Sequence, residues 1–354
     1  MNTIDKQYLN LLEDILNNGF EKDTRSGKVI SVFGRQIRHK MSEGFPLLTT
    51  KKMYFKGIIT ELLWFLRGDT NIKYLIDNDC HIWDGDCYRF YINECEKIKE
   101  RTLSKEEFIN KIKSDNDFTN KWGELGPVYG KQWREWSKYD KAVPSNPYDY
   151  EYHASYDGPI DQIQNLINDL KSDPDSRRLM VNAWNVAKID EMTLPPCHYG
   201  FQVYTRELSG LERWALCKNE VDVDDADLYS KLDKLNIPTR AISLMWNQRS
   251  VDCPLGLPFN IASYALLLEI LAKMVNMIPE ELIGNLGDTH IYQNQIDGIK
   301  EQLNRIPYEL STLKIFDNVV FNGDIDDMLK SCNKDNFTIE NYQSHPSIKM
   351  PLSN

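Results

Sequence analysis

The first residues of the chain alternate apolar and polar side chains with the period of an α-helix. Apolar residues recur three or four positions apart among charged ones, at Ile4, Tyr8, Leu11, Leu12 and Ile15. This spacing puts them on one face and predicts an amphipathic helix. The turn sequence Asn17-Asn18-Gly19 predicts the end of that helix.

Two further helices are predicted to be mostly apolar. The segment from Ile261 to Val275 is apolar nearly throughout, so we expect it to lie in the core. The segment from Ile58 to Leu66 is also apolar, but its polar positions, with those that flank it, fall on one side: Thr60, Glu61, Trp64 and Arg67. This pattern alone favours a solvent-exposed position for Glu61, with an acid in a closed site as the alternative.

Strand-like runs occur around Val29 to Ile37 and from Ile242 to Met245. The chain has no internal repeat and no linker rich in Gly, Ser or Pro. One domain spanning residues 1–354 and carrying two insertions therefore explains the sequence better than two domains.

The predicted insertions are residues 87–122 and 206–243. The first is rich in Lys and Glu at helical spacing, which indicates helices rather than a linker. The second contains an acidic run, at Asp222, Asp224, Asp225 and Asp227. Such a run could bind a divalent cation, but most are solvated loops, so no metal site is predicted.

The composition of the chain limits the binding partners and the cellular location that we expect. A formal net charge of −11 argues against binding of nucleic acid or an anionic membrane, because both need a basic surface. The seven cysteines are odd in number and lack the paired spacing of zinc sites, which fits a reducing compartment. The longest apolar stretch, Tyr264 to Val275, is too short to span a bilayer. We therefore expect a cytoplasmic protein.

The sequence Leu194-Pro195-Pro196-Cys197-His198 holds a thiol in a fixed backbone position just before a strand-like segment. Two prolines restrict the backbone and remove two hydrogen-bond donors, which is costly unless the thiol must be positioned. A nucleophilic cysteine also needs cationic or hydrogen-bonding neighbours that lower its pKa. A buried structural cysteine is the alternative, and this segment alone favours it.

Other polar residues could bind a small anionic or sugar-containing ligand. Ser176-Arg177-Arg178 and Gln248-Arg249-Ser250 each combine arginine with a hydroxyl, which suits phosphate, although either could be ordinary surface arginine. Alternation from Asp288 to Tyr292 puts Asp288, His290 and Tyr292 on one strand face, as sugar contacts or a structural pair. Asn260 could read a base edge or cap a helix.

Nine segments in the same order resemble the thymidylate synthase family. They are Phe45 to Lys51, Glu61 to Asn71, Ile82 to Asp84, Leu125 to Trp133, Asp175 to Arg178, Leu194 to His198, Gln248 to Asp252, Gly256 to Tyr264, and Gly287 to Tyr292. Such a series does not arise by coincidence. For the matched positions the resemblance therefore outweighs the structural alternatives given above.

The resemblance implies an α/β (α+β) fold with a large mixed β-sheet flanked by helices, and a homodimer formed by packing of the two sheets. It implies the reductive methylation of dUMP to dTMP with 5,10-methylenetetrahydrofolate as co-substrate and dihydrofolate as co-product. In this reaction a cysteine adds to C6 of the uracil, which turns C5 into a nucleophile. Covalent catalysis of this kind divides one difficult step into easier ones.

Residue roles follow from the same resemblance. The implied catalytic residues are Cys197 as nucleophile, Glu61 as acid and base, and Tyr129, His198, Asp252 and Arg249. The implied dUMP ligands are Arg25, Arg249, Ser250, Asn260, His290 and Tyr292, with Arg177 and Arg178 contributed by the partner subunit. The implied folate contacts are Lys51, Trp83, Asp252, Leu255, Gly256 and Phe259. Arg249 is also expected to favour the Cys197 thiolate, and burial to raise the pKa of Glu61.

The sequence departs from the family pattern at three places. Asp86 stands where many bacterial members have a second Trp, the loop with Arg25 is one residue shorter, and the chain ends in Ser353-Asn354 rather than a small apolar residue. A less tightly closed site could admit water to the one-carbon intermediate. The alternatives are therefore a dUMP hydroxymethylase, which releases tetrahydrofolate, and a non-catalytic nucleotide-binding dimer.

Overall fold

The structure is a computed structural model that describes residues 2–24, 27–141, 154–217, 222–223 and 227–351. The α-helices are α1 (Thr3–Asn18), α2 (Phe55–Leu66), α3 (Lys73–Asp77), α4 (Asp84–Ile98), α5 (Lys105–Ser114), α6 (Asn116–Trp122), α7 (Tyr129–Arg134), α8 (Gln162–Ser172), α9 (Gly210–Leu216), α10 (Leu228–Lys234), α11 (Gly256–Met274), α12 (Ile296–Leu303) and α13 (Ile325–Ser331). The β-strands are β1 (Phe20–Thr24), β2 (Gly27–Lys40), β3 (Trp136–Lys141), β4 (Ala154–Ile160), β5 (Met180–Asn182), β6 (His198–Glu207), β7 (Arg240–Asp252), β8 (Ile278–Tyr292), β9 (Thr312–Ile315) and β10 (Phe337–Glu340).

A mixed sheet of six strands organises the described residues, in the order β1-β2-β8-β7-β6-β5. Its neighbours pair antiparallel except β7 and β8, which are parallel and joined by α11. Because parallel strands end at the same edge of a sheet, this pair brings two polar segments together. Ser250 lies opposite Asp288, and Asp252 lies opposite His290. The predicted α/β fold with a large mixed sheet is confirmed.

Helix α11 packs against β7 and β8 and forms the centre of the hydrophobic core. It begins at Gly256, five residues earlier than predicted. Pro258 is tolerated there because the first turn of a helix needs no backbone donor. The sequence predicts an apolar stretch too short to span a bilayer, but the complete helix is long and apolar enough to do so by length and composition. Of its most apolar window, however, 78% is buried inside the protein. Such burial is typical of a core helix.

Both insertions contain helices in the described residues. The first forms most of α4, together with α5 and α6, and packs the Tyr91 and Phe108 rings at an interplanar angle of 35° with their centroids 5.0 Å apart. The second forms α9 and α10 around a small apolar cluster of Cys217 and Leu232. Of its acidic run, Asp224 and Asp225 lie outside the described residues.

One face of the sheet is open. Phe33 is 79% exposed and Tyr204 is 68% exposed. Between β2, β8 and β7, Gln36 donates to Asn285 at 2.8 Å, and Asn285 donates to Asn247 at 3.0 Å. A row of amides flanked by exposed aromatic rings is suited to contact with another protein surface.

Candidate active site

A cavity of about 950 Å³ lies where the ends of β7 and β8 meet α2, α4 and the segment before β6. It collects most of the residues predicted from the sequence. Those that line it are Glu61, Trp83, Tyr129, Cys197, His198, Arg249, Ser250, Asp252, Gly256, Asn260, His290 and Tyr292. Residues scattered over 230 positions of sequence are therefore gathered in one place.

Hydrogen bonds on both sides fix the backbone around Cys197. The Arg249 guanidinium donates to the carbonyl of Pro196 at 2.9 Å and to that of Pro195 at 3.0 Å. The Cys197 amide donates to the Tyr129 hydroxyl at 2.7 Å, and the Arg249 amide donates to the Cys197 carbonyl at 2.8 Å. The two prolines supply acceptors without competing donors, so the thiol is held in one position, as predicted.

Burial dominates the protonation of the Cys197 thiol. It raises the pKa above the ordinary value, Arg249 opposes the rise, and the carboxylates of Asp86 and Asp252 add to it. The expectation that Arg249 favours the thiolate is right in sign, but Arg249 does not outweigh burial. A nucleophilic role therefore requires that the Cys197 thiol lose its proton against the effect of burial.

Glu61 is buried on α2 and accepts a hydrogen bond from the Trp83 indole at 2.8 Å. Burial raises the pKa of Glu61 to about 7, and the Trp83 hydrogen bond only partly opposes this rise. The interpretation from the helix pattern alone, that Glu61 is solvent-exposed, is wrong, because Glu61 is buried and lines the cavity. The expectation from the resemblance, that burial raises its pKa, is confirmed. A carboxyl with this pKa can accept and return a proton near neutral pH.

A group of neutral hydrogen-bonding rings lies beside the thiol. The His198 Nδ1 is 2.8 Å from the Tyr264 hydroxyl, and the His198 and Tyr129 ring centroids are 4.3 Å apart. Burial lowers the pKa of His198 to about 3. The imidazole is therefore uncharged at neutral pH, and it contributes hydrogen bonding rather than charge. Sequence reasoning missed Tyr264, although a phenol on an otherwise apolar α11 was a usable signal.

The Asn260 amide is oriented by a chain of hydrogen bonds. The Trp246 indole donates to Gln248 Oε1 at 3.2 Å, and Gln248 Nε2 in turn donates to Asn260 Oδ1 at 3.2 Å and to the Ser250 backbone carbonyl at 3.0 Å. Asn260 is the fifth residue of α11, whose N-cap is Leu255, so helix capping does not explain it. Gln248 was not predicted, yet it fixes which way Asn260 points.

The end of β8 supplies the polar edge predicted from its alternation. His290 and Tyr292 pack edge to face with ring centroids 5.3 Å apart, and the His290 Nδ1 is 3.2 Å from the Asp288 carbonyl. Lys22 of β1 bonds the Asp288 carboxylate at 3.0 Å. His290 and Tyr292 line the cavity together with Ser250. This part of the wall therefore offers hydroxyl and imidazole groups as hydrogen-bond partners for a sugar.

Several predicted residues do not line this cavity. Lys51 is 6% exposed, its ammonium donates to the Pro254 carbonyl, and burial lowers its pKa to about 8. Leu255 and Phe259 are close to Gly256 in sequence and partly buried, but they do not line the cavity. Arg177 and Arg178 are exposed just before the edge strand β5. Arg25, Ser353 and Asn354 lie outside the described residues.

Helix α4 contributes residues that the sequence analysis did not predict. Asp86, Arg89 and Asn93 line the cavity, and Asp86 and Arg89 form an ion pair. Their spacing of three and four residues was visible in the sequence, but residues 87–122 had been treated only as an insertion of unknown role.

Comparison with known proteins gives one consistent result. The family model described as thymidylate synthase matches residues 6–354. A thymidylate synthase of Mesoplasma florum is 41% identical over 345 residues, which cover 97% of this chain and 98% of that protein. One of Malacoplasma penetrans is 40% identical over 97% of this chain and 98% of its own length. One of Listeria monocytogenes is 37% identical over 98% of this chain and 99% of its own length.

Proposed function

The chain belongs to the thymidylate synthase family, and from that premise we propose how its residues carry out the family's reaction. That reaction is the reductive methylation of dUMP to dTMP, with 5,10-methylenetetrahydrofolate as co-substrate and dihydrofolate as co-product. The observation that best supports this proposal is that one cavity is lined by Cys197, Glu61, Asn260 and Arg249. Its volume of about 950 Å³ is at the upper end for small-molecule sites, which gives room for two ligands.

Cys197 is the nucleophile in this proposal. Its sulfur forms a bond to C6 of the uracil while the thiol proton leaves, and electron density moves to C5. C5 then bonds to the one-carbon unit of the folate as the bond from that carbon to one folate nitrogen breaks, and C5 loses its own proton. The bond to the second folate nitrogen then breaks, which releases tetrahydrofolate and leaves a methylene group on C5. Tetrahydrofolate transfers a hydride to this methylene and becomes dihydrofolate, and the sulfur leaves C6, which restores the enzyme. Arg249, whose guanidinium is held by the carbonyls of Pro195 and Pro196 just before Cys197, favours the thiolate once a bound nucleotide excludes water.

Glu61 and its neighbours handle protons. A pKa of about 7 allows the carboxyl to exchange a proton with the uracil and folate through water. The Tyr129 hydroxyl accepts a hydrogen bond from the Cys197 amide, so it supports the position of the nucleophile. Neutral His198, bonded to Tyr264, supplies a hydrogen bond without a competing charge.

The nucleotide contacts divide by chemistry. Arg249 and Ser250, with Arg25, bind the phosphate, because guanidinium and hydroxyl donors suit its oxygens. The oriented Asn260 amide reads the uracil edge, and His290 and Tyr292 bind the deoxyribose hydroxyl. Trp83, Asp252 and Gly256 line the folate side, where the indole offers a flat apolar surface. Leu255 and Phe259, which are partly buried beside Gly256 in sequence, keep the folate role that the resemblance implied only as a proposal.

We also propose a homodimer in which the open sheet face packs against its copy. The exposed Phe33 and Tyr204 support this proposal. A second cavity of about 520 Å³ on that face is lined by Arg249, which also lines the substrate cavity. Arg177 and Arg178 of the partner subunit would then approach the phosphate from this side. Their exposure in a single chain agrees with that role.

The remaining proposals concern context. Seven cysteines without a disulfide are typical of a reducing compartment and support a cytoplasmic location. One large hydrophobic cluster that includes residues from Ile4 to Phe337, with only a small separate cluster inside the second insertion, supports one catalytic domain with two insertions in the described residues. The hydroxymethylase alternative is not favoured, because the relatives are thymidylate synthases over nearly their whole length.

The test is a product assay. Purified protein is incubated with dUMP and 5,10-methylenetetrahydrofolate while folate absorbance is followed, and the nucleotide is identified by mass. Dihydrofolate and dTMP formed in equal amounts support the proposal. Hydroxymethyl-dUMP with tetrahydrofolate would contradict it and favour the alternative, and no turnover with intact dUMP binding would favour a non-catalytic dimer.

A further inference from the structure

One face of helix α4 forms a wall of the substrate cavity. The helix begins at Asp84, directly after Trp83, and Asp86, Arg89 and Asn93 follow at intervals of three and four residues. Side chains so spaced share one face of a helix. The first insertion is thus part of the site rather than an addition remote from it.

An ion pair orients Arg89 within this wall. The Arg89 Nη2 bonds the Asp86 carboxylate, whose side chain is only 17% exposed, while the Arg89 side chain is 40% exposed. A guanidinium has five donors in a fixed plane, so one bond to Asp86 leaves further donors available at the cavity. Asp86 is therefore a positioning residue for Arg89.

The cavity is otherwise short of positive charge. Four carboxylic acids line it: Glu61, Asp86, Asp252 and Asp288. Among the described residues that line it, the arginines and lysines are only Arg89 and Arg249. Both reactants are anions, since dUMP carries a phosphate and the folate carries glutamyl carboxylates. Arg249 is the proposed phosphate ligand, and Lys51, which the resemblance assigned to the folate tail, is buried against the Pro254 carbonyl.

We propose that Arg89, held by Asp86, binds the glutamyl carboxylates of the folate co-substrate and determines how strongly this enzyme prefers folates with a glutamyl tail. The proposal rests on the proposed function, because it assumes that the folate occupies the Trp83 side of the cavity. The half-exposed position of Arg89 suits a ligand group that extends towards solvent. A charge-assisted hydrogen bond to a carboxylate also gives both strength and orientation.

The test measures binding to the dUMP-saturated protein by calorimetry, with two probes. One is tetrahydrofolate, and the other is its diamide, in which both glutamyl carboxylates are uncharged amides. Arg89→Gln is compared with Lys97→Gln, which removes one positive charge from a 69% exposed position on the same helix. We expect R89Q to weaken tetrahydrofolate binding about tenfold and to leave diamide binding unchanged. K97Q should change the binding of neither probe.

Equal weakening of both probes in R89Q, or no weakening of either, would overturn the proposal. The unmodified protein gives a second measurement that does not depend on the folding of a variant. Raising the KCl concentration should weaken the binding of tetrahydrofolate more than the binding of the diamide. An identical response of the two probes to salt would also overturn the proposal. A wild-type protein that fails to bind dUMP would instead contradict the proposed function.

Discussion

Replacing Glu61 with Gln should stabilise the fold while impairing the enzyme. Glu61 is buried on α2, and its oxygen accepts the Trp83 indole hydrogen bond at 2.8 Å. The Gln carbonyl can accept the same bond, so the substitution removes chiefly the ionisable proton. The stability difference between the two proteins should therefore depend on pH.

The magnitude follows from the pKa of Glu61. Burial raises the pKa from 4.5 in the unfolded chain to about 7 in the folded protein. Because the folded pKa is the higher one, folding is favoured by the protonated form, and this contribution is fully present below pH 4.5. It is lost as pH rises from 4.5 to 7, and at about 1.36 kcal/mol for each pKa unit the loss is about 3 kcal/mol.

Urea unfolding at fixed subunit concentration measures this loss. The free energy of unfolding of E61Q minus that of the wild type should increase by about 3 kcal/mol between pH 4.5 and pH 8 and should level off above pH 7. Glu13→Gln, at an exposed position of α1, serves as the control for loss of a carboxylate at the surface. The kcat of E61Q should fall, because no proton can be exchanged at this position.

A stability difference that stays constant over this pH range would refute the argument. It would mean that the folded and unfolded proteins hold the Glu61 proton equally well, so that burial does not control its ionisation. An undiminished kcat in E61Q would separately remove Glu61 from the proton-transfer role.

Three further predictions concern the nucleotide site. Cys197→Ser should abolish turnover and leave the Kd for dUMP within about threefold, since most nucleotide contacts are made elsewhere; near-normal turnover would refute the nucleophile assignment. Asn260→Asp should shift the ratio of kcat/KM for dUMP and dCMP at least tenfold towards dCMP, about 1.4 kcal/mol, because a carboxyl can present a different hydrogen-bond pattern to the base. An unchanged ratio would exclude Asn260 from base recognition. Mixing inactive Arg178→Ala and Cys197→Ser subunits should restore about a quarter of the wild-type activity, because half of the random dimers contain one complete site. No recovery despite verified subunit exchange would argue against a shared site.

The sequence predicted those parts of the site that depend on local chemistry. Pro195 and Pro196 indicated a fixed thiol, and the alternation to Tyr292 indicated a polar strand face; both are found at the cavity. Their positions relative to each other follow from the pairing of β6 with β7 and of β7 with β8, whereas the family resemblance implied only a large mixed sheet.

Features that depend on distant contacts were not predictable. Glu61 was misjudged from its pattern, because a polar stripe has the same spacing whether it faces water or a cavity. The pKa of Cys197 depends on burial by segments far apart in sequence. The His198–Tyr264 bond joins residues 66 positions apart, and Arg89 belongs to an insertion whose place in the fold only the structure gives.

The most direct test of the whole account is the mass of a trapped covalent complex. The enzyme is incubated with methylenetetrahydrofolate and 5-fluoro-dUMP, in which fluorine replaces the C5 proton that must leave, and is then denatured and digested. The account predicts nucleotide and folate together on the peptide that contains Cys197, and neither on the peptides of the Cys197→Ser variant. An unmodified Cys197 peptide, or the same mass on a peptide that contains another cysteine, would contradict it.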